Sequence, residues 1–407
     1  MSASSWLGGP YCRLFESLHQ DRLPYYRSWC HEVPMLVSRR RDEELHEIQR
    51  ILYKCCAFYA GHYTDYLDRV PYEEKILEIL EECRSAPFQA GTFRPDYLIC
   101  GDGGIRVCEI TSRFFANAYF LSYFTEHAGM VFAEQAGVTD YRSYFEEMLE
   151  YFASMLGSRK RLCVLKSADK SDSIRLYVPF YHALGAQTVI LEAEEVESNL
   201  ELLKDSLVVS ALNQKDLQGY SMDTLKRIAA AGTRNDFRTV FLLHDKRFFT
   251  LFHEKDFTDR CLSPEEAEFL KAHTVETFVY GERPEIWKAA RKDRDGYILK
   301  HHWLGKSEKV YAGCLTPPEE WEALFAEGQV KEMILQPFMR QKTFRAECRG
   351  EMVEDYIAGT ILCVDDRYFG TGLFRTSSRP VINQTDAHKA AQLMSDQSGR
   401  FVQPHIL

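Results

Sequence analysis

The chain has 407 residues, a net charge of −10, 45% hydrophobic residues and 13% aromatic ones. That length exceeds what one hydrophobic core usually supports, so two or three lobes sharing an interface are expected, with ample apolar content for a folded globular protein. The acidic balance argues against a nucleic-acid partner, which needs a concentrated basic surface, and Arg39-Arg40-Arg41 reads as a solvated face.

Twelve cysteines are scattered without a CxxC pair and thirteen histidines show no HExxH spacing, so a zinc site has little support from sequence. No amino-terminal run has the order of a secretory signal, and no segment approaches eighteen apolar residues. The expectation is a reduced cytoplasmic compartment with buried free thiols and no membrane partner.

From Asp42 to Cys83 the apolar spacing is helical, with Leu45, Ile48, Ile51 and Leu52 on one stripe and Ile76, Ile79 and Leu80 on another. Next, Arg94-Pro95-Asp96-Tyr97-Leu98-Ile99-Cys100, the turn Gly101-Asp102-Gly103-Gly104, and Ile105 to Thr111 read as strand, turn, strand. The register sets Asp96 opposite Glu109 and Arg94 opposite Thr111, all on one face. Like charges directly across a sheet destabilise it unless something positive sits between them, and a hard divalent cation such as magnesium is the simplest choice. The same pattern also fits a solvated surface hairpin, or Asp96 paired to Arg94.

The aromatic-rich segment Phe114 to Phe145 reads as helices packed over that sheet. Leu162 to Leu165, a helix from Ile174 to Leu184 ending near Gly185, Thr188 to Leu191, and Leu207 to Val209 alternate as in a small parallel-sheet lobe. Thr239 to Leu243 is read as an apolar strand before His244-Asp245-Lys246-Arg247, and Ser263-Pro264-Glu265-Glu266 as a helix start. Tyr297 to Lys300 is a strand ending in lysine, His301 to Gly313 a loop or β-turn, Pro317 to Phe325 a helix, and Met333 to Phe338 a strand stopped by Pro337.

The order from Lys246 through Lys300 and Gln336 to a late arginine resembles the circularly permuted ATP-grasp ligases of the glutathionylspermidine synthase type, over most of the chain from Phe93 to Asn383. In that family an early hairpin carrying Arg-x-Asp and Glu-x-Asn holds magnesium; here it matches Arg94-Pro95-Asp96 and Glu109-Ile110-Thr111, with threonine in place of asparagine. The resemblance implies Asp96, Glu109 and Thr111 as metal ligands, the threonine hydroxyl being a weaker and shorter one than an amide carbonyl. It makes Lys246 and Lys300 the two ATP lysines, and Gln336 and Phe338 the hinge residues beside the adenine; the other reading of that strand is an ordinary buried one with Gln336 bonded to its neighbours. Leu304 to Gly313 takes the place of the glycine-rich loop but keeps fewer glycines, so either Lys306 or Ser307 compensates or the loop closes less tightly. Gly372 to Ser378 and Val381 to Asn383 resemble the closing strands, where Arg375 would stabilise the transferred phosphate, with Arg94 its competitor for that role. Glu354 or Asp355 is a candidate to orient an amine, and Arg113 or Asn117 to meet a substrate carboxylate.

What the resemblance implies is an α/β (α+β) protein with a permuted ATP-grasp fold plus a small parallel-sheet lobe. Its expected division is a helical region over 1–92, a segment with the metal hairpin over 93–155, a Rossmann-like substrate lobe over 156–236, a lid over 237–332, and hinge and closing strands over 333–407. The implied reaction joins a small-molecule carboxylate to an amine through an acyl phosphate, using ATP and Mg²⁺, with two ions expected. Alternatives are a small-molecule kinase on the same fold, a nucleotide-binding homologue weakened in turnover, and a plain multidomain interaction protein; homodimer formation is left open.

Overall fold

The computed structural model describes residues 8–168, 173–382, 388–397 and the backbone of 405–406. In chain order the strands are β1 (Cys30–Val37), β2 (Thr92–Ile99), β3 (Ile105–Thr111), β4 (Arg161–Lys166), β5 (Gln187–Glu192), β6 (Ser206–Ala211), β7 (Phe278–Val279), β8 (Tyr297–His301), β9 (Val310–Ala312), β10 (Met333–Pro337), β11 (Thr343–Cys348), β12 (Glu351–Val364), β13 (Arg367–Thr371), β14 (Phe374–Ser377), β15 (His388–Met394) and β16 (His405–Ile406).

Among the described residues these form three sheets of a mixed α/β protein. The largest runs β16-β1-β15-β14-β12-β2-β3, with β11 and β13 also on β12. Its strands come from both ends of the chain: β1 lies parallel to β15, while β2 pairs antiparallel with the long β12. Tyr97 faces Gly359 across that pair, and a Cβ on Gly359 would fall 2.2 Å from the tyrosine ring, so the missing side chain is what admits the buried aromatic. The second sheet, β7-β10-β8-β9, carries its own small core around Trp287, Trp321 and Leu335. The third is the parallel set β5-β4-β6.

Local chemistry accounts for the helices. Ser38 caps the helix Arg39–His62 through the Arg41 amide, and Leu45, Ile48, Ile51 and Leu52 are buried along its stripe. Ser263 and Glu266 form a reciprocal capping box at Pro264–His273. Gly185 follows Ile174–Ala183 with φ +88, a conformation glycine adopts without strain. The helix Ser122–Ala136 crosses β15 so closely that a Cβ on Gly129 would lie 1.9 Å from the Gln392 carbonyl oxygen. No helix among the described residues is long and apolar enough to cross a membrane, and all twelve cysteines are free.

Three readings need correction. The segment Thr239–Leu243 is a π-helical turn, not a strand. All five of its residues are buried, so no periodicity separates strand from helix, and the deciding contact is Asp236, whose carboxylate accepts from the Arg238 and Thr239 amides. The amino-terminal region read as helical also contributes β1 to the main sheet, between β16 and β15. Val381 and Ile382 do not form a strand, and Asn383 lies outside the described residues.

Candidate active site

The β2–β3 hairpin sets Arg94 opposite Thr111 and Asp96 opposite Glu109, as read from sequence. The route to that register differs. At the turn Ile99 pairs with Ile105, one residue out of step with the Asp96–Glu109 pair, and the shift between Asp96 and Tyr97 is absorbed at Cys108, which faces no residue of β2 in the register. Such a bulge places two neighbouring residues on one side of a strand, and Cys108 and Glu109 both line the same cavity of about 270 Å³.

Asp96 is 2% exposed and held between two guanidinium groups: Arg94 Nε donates to Oδ1 at 2.9 Å and an Arg375 terminal nitrogen to Oδ2 at 2.7 Å. The alternative pairing of Asp96 with Arg94 is therefore present. Arg375 reaches it because β14 packs on β12 with Arg375 opposite Ala358. Glu109 takes its positive neighbour from elsewhere, the Lys246 ammonium at 3.5 Å. Burial raises the Glu109 pKa, but Lys246, Lys300 and Arg375 outweigh it and hold the carboxyl well below its usual range.

Lys246 does not end a strand; it opens the 3₁₀ helix Lys246–His253. Its backbone amide donates to the His302 carbonyl at 3.0 Å and its ammonium to the Leu304 carbonyl at 2.7 Å, so it ties the segment after Lys300 to the hairpin. Asp245 fixes this junction: its fully buried carboxylate accepts from Arg247, His302 and the Trp303 indole. Burial alone would raise the Asp245 pKa, yet Arg247 and His302 drive it far down. Lys300 sits in β8 opposite Ile334 of β10, and among the described residues its ammonium makes no hydrogen bond or ion pair.

The loop after β8 carries positive φ at Lys306 (+57), Ser307 (+58) and Lys309 (+49). Side chains avoid this conformation, at a cost of about 1 kcal/mol or more each, so the glycine-poor loop reaches a glycine-like path by holding other residues in it. Ser307 Oγ donates to the Ile382 carbonyl at 3.2 Å, tying the loop to another stretch of the cavity lining. Gln336 lines the cavity, but its amide nitrogen already donates to Thr277 Oγ1 at 2.8 Å and the Cys108 carbonyl at 3.3 Å. Phe338 is also in the wall, its backbone amide bound to the Gly296 carbonyl at 2.8 Å. Arg113 and Asn117 line the cavity; Glu354 and Asp355 do not, Glu354 being exposed on β12 and Asp355 buried on the sheet face away from Arg375.

Two cavity residues were missed. His244 is buried, and burial together with Lys246 and Arg113 lowers its pKa to about 3, keeping the ring neutral. Its Nδ1 accepts from the Ser112 amide, so its single proton belongs on Nε2. Lys389 on β15 is lowered to about 8, by burial first and then by Arg375. His244 stood two residues before Lys246 in the same tetrapeptide, and that proximity was the available signal; Lys389, in a polar stretch near the chain's end, offered none.

In total seven lysine and arginine side chains face the cavity against two carboxylates, Asp96 and Glu109, in a chain whose net charge is −10. Arg375 Nε is buried without a hydrogen-bond partner among the described residues. Apolar wall comes from Leu98, Val275, Ile298, Val310 and Leu373. The cavity thus combines a concentration of positive charge with one apolar flank.

Against known proteins, a family model described as the AnkG N-terminal domain matches residues 59–242, less than half of the chain, and assigns no family to it. No curated protein sequence matches. Among solved structures, a glutathione synthetase-like effector from Globodera pallida, in its apo form, is similar over 94% of this chain and 97% of its own, with a TM-score of 0.57 and 12% identity. At that identity the likeness concerns the fold alone, which is glutathione synthetase-like.

Proposed function

We propose that this chain is an ATP-dependent carboxylate–amine ligase with a circularly permuted ATP-grasp arrangement, working through an acyl phosphate and releasing ADP and phosphate. The observation that carries the reading is the convergence of Glu109, Lys246, Lys300 and Arg375 on one cavity that also has an apolar wall. The groups fit a triphosphate with a hard cation: carboxylate oxygens of Glu109 and Asp96 and the Thr111 hydroxyl for the cation, and for phosphate the Arg375 Nε, which has no partner among the described residues. Asp96, Glu109 and Thr111 would hold the magnesium, which when bound supplies neutralisation of phosphate charge.

The chain's own groups do the rest. Lys246 and Lys300 bind phosphate oxygens as compact charges that can follow them through the reaction. Arg375, kept in place by Asp96, faces the position where negative charge grows during phosphoryl transfer. Lys306 and Ser307 lie on the loop after β8 and exclude water from a hydrolysable intermediate. Gln336 holds β10 to the hairpin and to Thr277, so Gln336 and Phe338 serve as wall beside the base instead of side-chain readers of it.

A second reading, a nucleotide-binding homologue weakened in turnover, rests on Asp96. Both its oxygens already accept guanidinium hydrogen bonds, so a cation there competes with Arg94 and Arg375, and Thr111 offers little help. A phosphate-release screen over amino acids and polyamines with Mg²⁺ and ATP separates the two. Turnover with any pair, giving an amide and equimolar ADP, supports the ligase; a phosphorylated product instead points to a kinase; nucleotide binding with no release over background leaves the weakened homologue.

A further inference from the structure

On the face of the main sheet opposite the cavity, four side chains drawn from both ends of the sequence converge. His31 Nε2 lies 3.0 Å from Asp355 Oδ2, His388 Nδ1 lies 3.3 Å from the same oxygen, and Thr376 Oγ1 lies 3.0 Å from it and 3.1 Å from His31 Nε2. The opposition of faces follows from alternation. Arg375, Lys389 and Ala358 line the cavity, while Thr376, His388 and Asp355 occupy positions of the other parity on β14, β15 and β12.

We infer that His31, Asp355 and His388 form a binding site for a divalent transition-metal ion, distinct from the magnesium site proposed above. One ligand atom from each residue lies within 4.8 Å of the other two. Bonds of roughly 2.0–2.1 Å in tetrahedral geometry separate ligand atoms by about 3.3–3.4 Å, so the two donor pairs at 3.0 and 3.3 Å need only small side-chain adjustments to admit an ion. Two imidazoles and one carboxylate are the donor set of zinc and iron(II) centres, whereas magnesium and calcium prefer oxygen alone. His31 and Asp355 are 2% and 1% exposed, which fixes their positions, and the less buried His388 leaves a route of entry. Thr376, directly opposite His388 across β14 and β15, stands beside the fourth position, open to its hydroxyl or to water.

An ion here would join β1 to β12 and β15, strands that are far apart in sequence. Because Thr376 and His388 immediately neighbour Arg375 and Lys389, it would also set the backbone that aims those two cations into the cavity. Sequence spacing could not reveal such a site, since its ligands are at positions 31, 355 and 388.

The test is a Co²⁺ titration of the chelator-treated full chain in excess Mg²⁺, read by visible d–d absorption, together with thermal denaturation with and without Zn²⁺. Expected is a single saturating equivalent, a raised Tm with Zn²⁺, and loss of both in His388→Asn and Asp355→Asn. The affinity loss should reach at least the roughly 10–100-fold that removal of a mere outer partner costs. Glu109→Gln should retain the Co²⁺ signal, which keeps this outcome separate from that of the magnesium reading. Uptake that is absent in the wild-type chain, or equal in wild type and folded His388→Asn, overturns the site. If both ligand variants fail to fold, the wild-type spectrum decides: a six-coordinate, weakly absorbing Co²⁺ spectrum with no gain in Tm also overturns it.

Discussion

Replacing Lys300 with methionine isolates the role of one charge. The side chain is 9% exposed, lies on β8 within the cavity wall, and makes no hydrogen bond or ion pair among the described residues, so methionine of similar length keeps the packing and breaks no such link. Its electrostatic partners are Glu109, which it stabilises as an anion, and neighbouring cations that repel it. These oppose each other, and folding stability should change by no more than about 1 kcal/mol. Phosphate binding should change much more, because a charge-assisted hydrogen bond contributes about 1.5–3 kcal/mol. That corresponds to about a 10- to 150-fold rise in Kd for a non-hydrolysable ATP analogue with Mg²⁺. Isothermal titration calorimetry on both proteins, with adenosine as a phosphate-free control, reads it directly. Adenosine affinity should be the same in the two. An analogue affinity within twofold of wild type, or an equal loss for adenosine, would refute phosphate contact by Lys300.

Other perturbations address different parts of the account. Glu109→Gln should lower kcat by about 10²-fold or more and weaken the dependence on Mg²⁺, measured by phosphate release across a magnesium titration, since it removes a charged ligand while keeping its shape. Burial raises Glu126 to about 7 against an ordinary 4.5, its carboxylate accepting from Ser143 and Gln392. An acid raised on folding stabilises below its unfolded pKa, and this is lost as pH climbs through the folded one. Between about pH 4.5 and 7 the wild type should therefore lose up to about 3 kcal/mol relative to Glu126→Gln, seen as diverging urea midpoints at pH 5 and pH 8. Gly129→Ala should cost about 3 kcal/mol, because the added methyl meets backbone at Gln392 that cannot swing aside; an unchanged Tm would contradict that packing.

What could be read from the sequence, and what could not, divides by the range of the interactions that decide it. The β2–β3 hairpin is set by a turn and alternating side chains, and its four facing residues were correctly placed. The Cys108 bulge was invisible because two compensating offsets give the same pairing of Asp96 and Glu109. The stretch Thr239 to Leu243 is buried throughout, so strand and helix patterns coincide there, and the cap at Asp236 favours the helical turn. Ser263-Pro264-Glu265-Glu266 carried its own stop and start chemistry and was legible. Lys389, the His31–Asp355–His388 cluster and the inward turn of β1 all depend on contacts between sequence ends, which no local pattern encodes. The guanidinium pair on Asp96 was half legible: Arg94 is two residues away, while Arg375 arrives only through the β12–β14 pairing.

The central claim, that a cation-bound triphosphate lies against the hairpin acids, is tested most directly by a crystal structure with AMPPNP and Mg²⁺. The account predicts phosphate density between the Lys246 and Lys300 ammoniums with an ion bound to Glu109. A nucleotide bound elsewhere, or a saturated crystal with Glu109 still paired to Lys246 and no ion beside it, would contradict it.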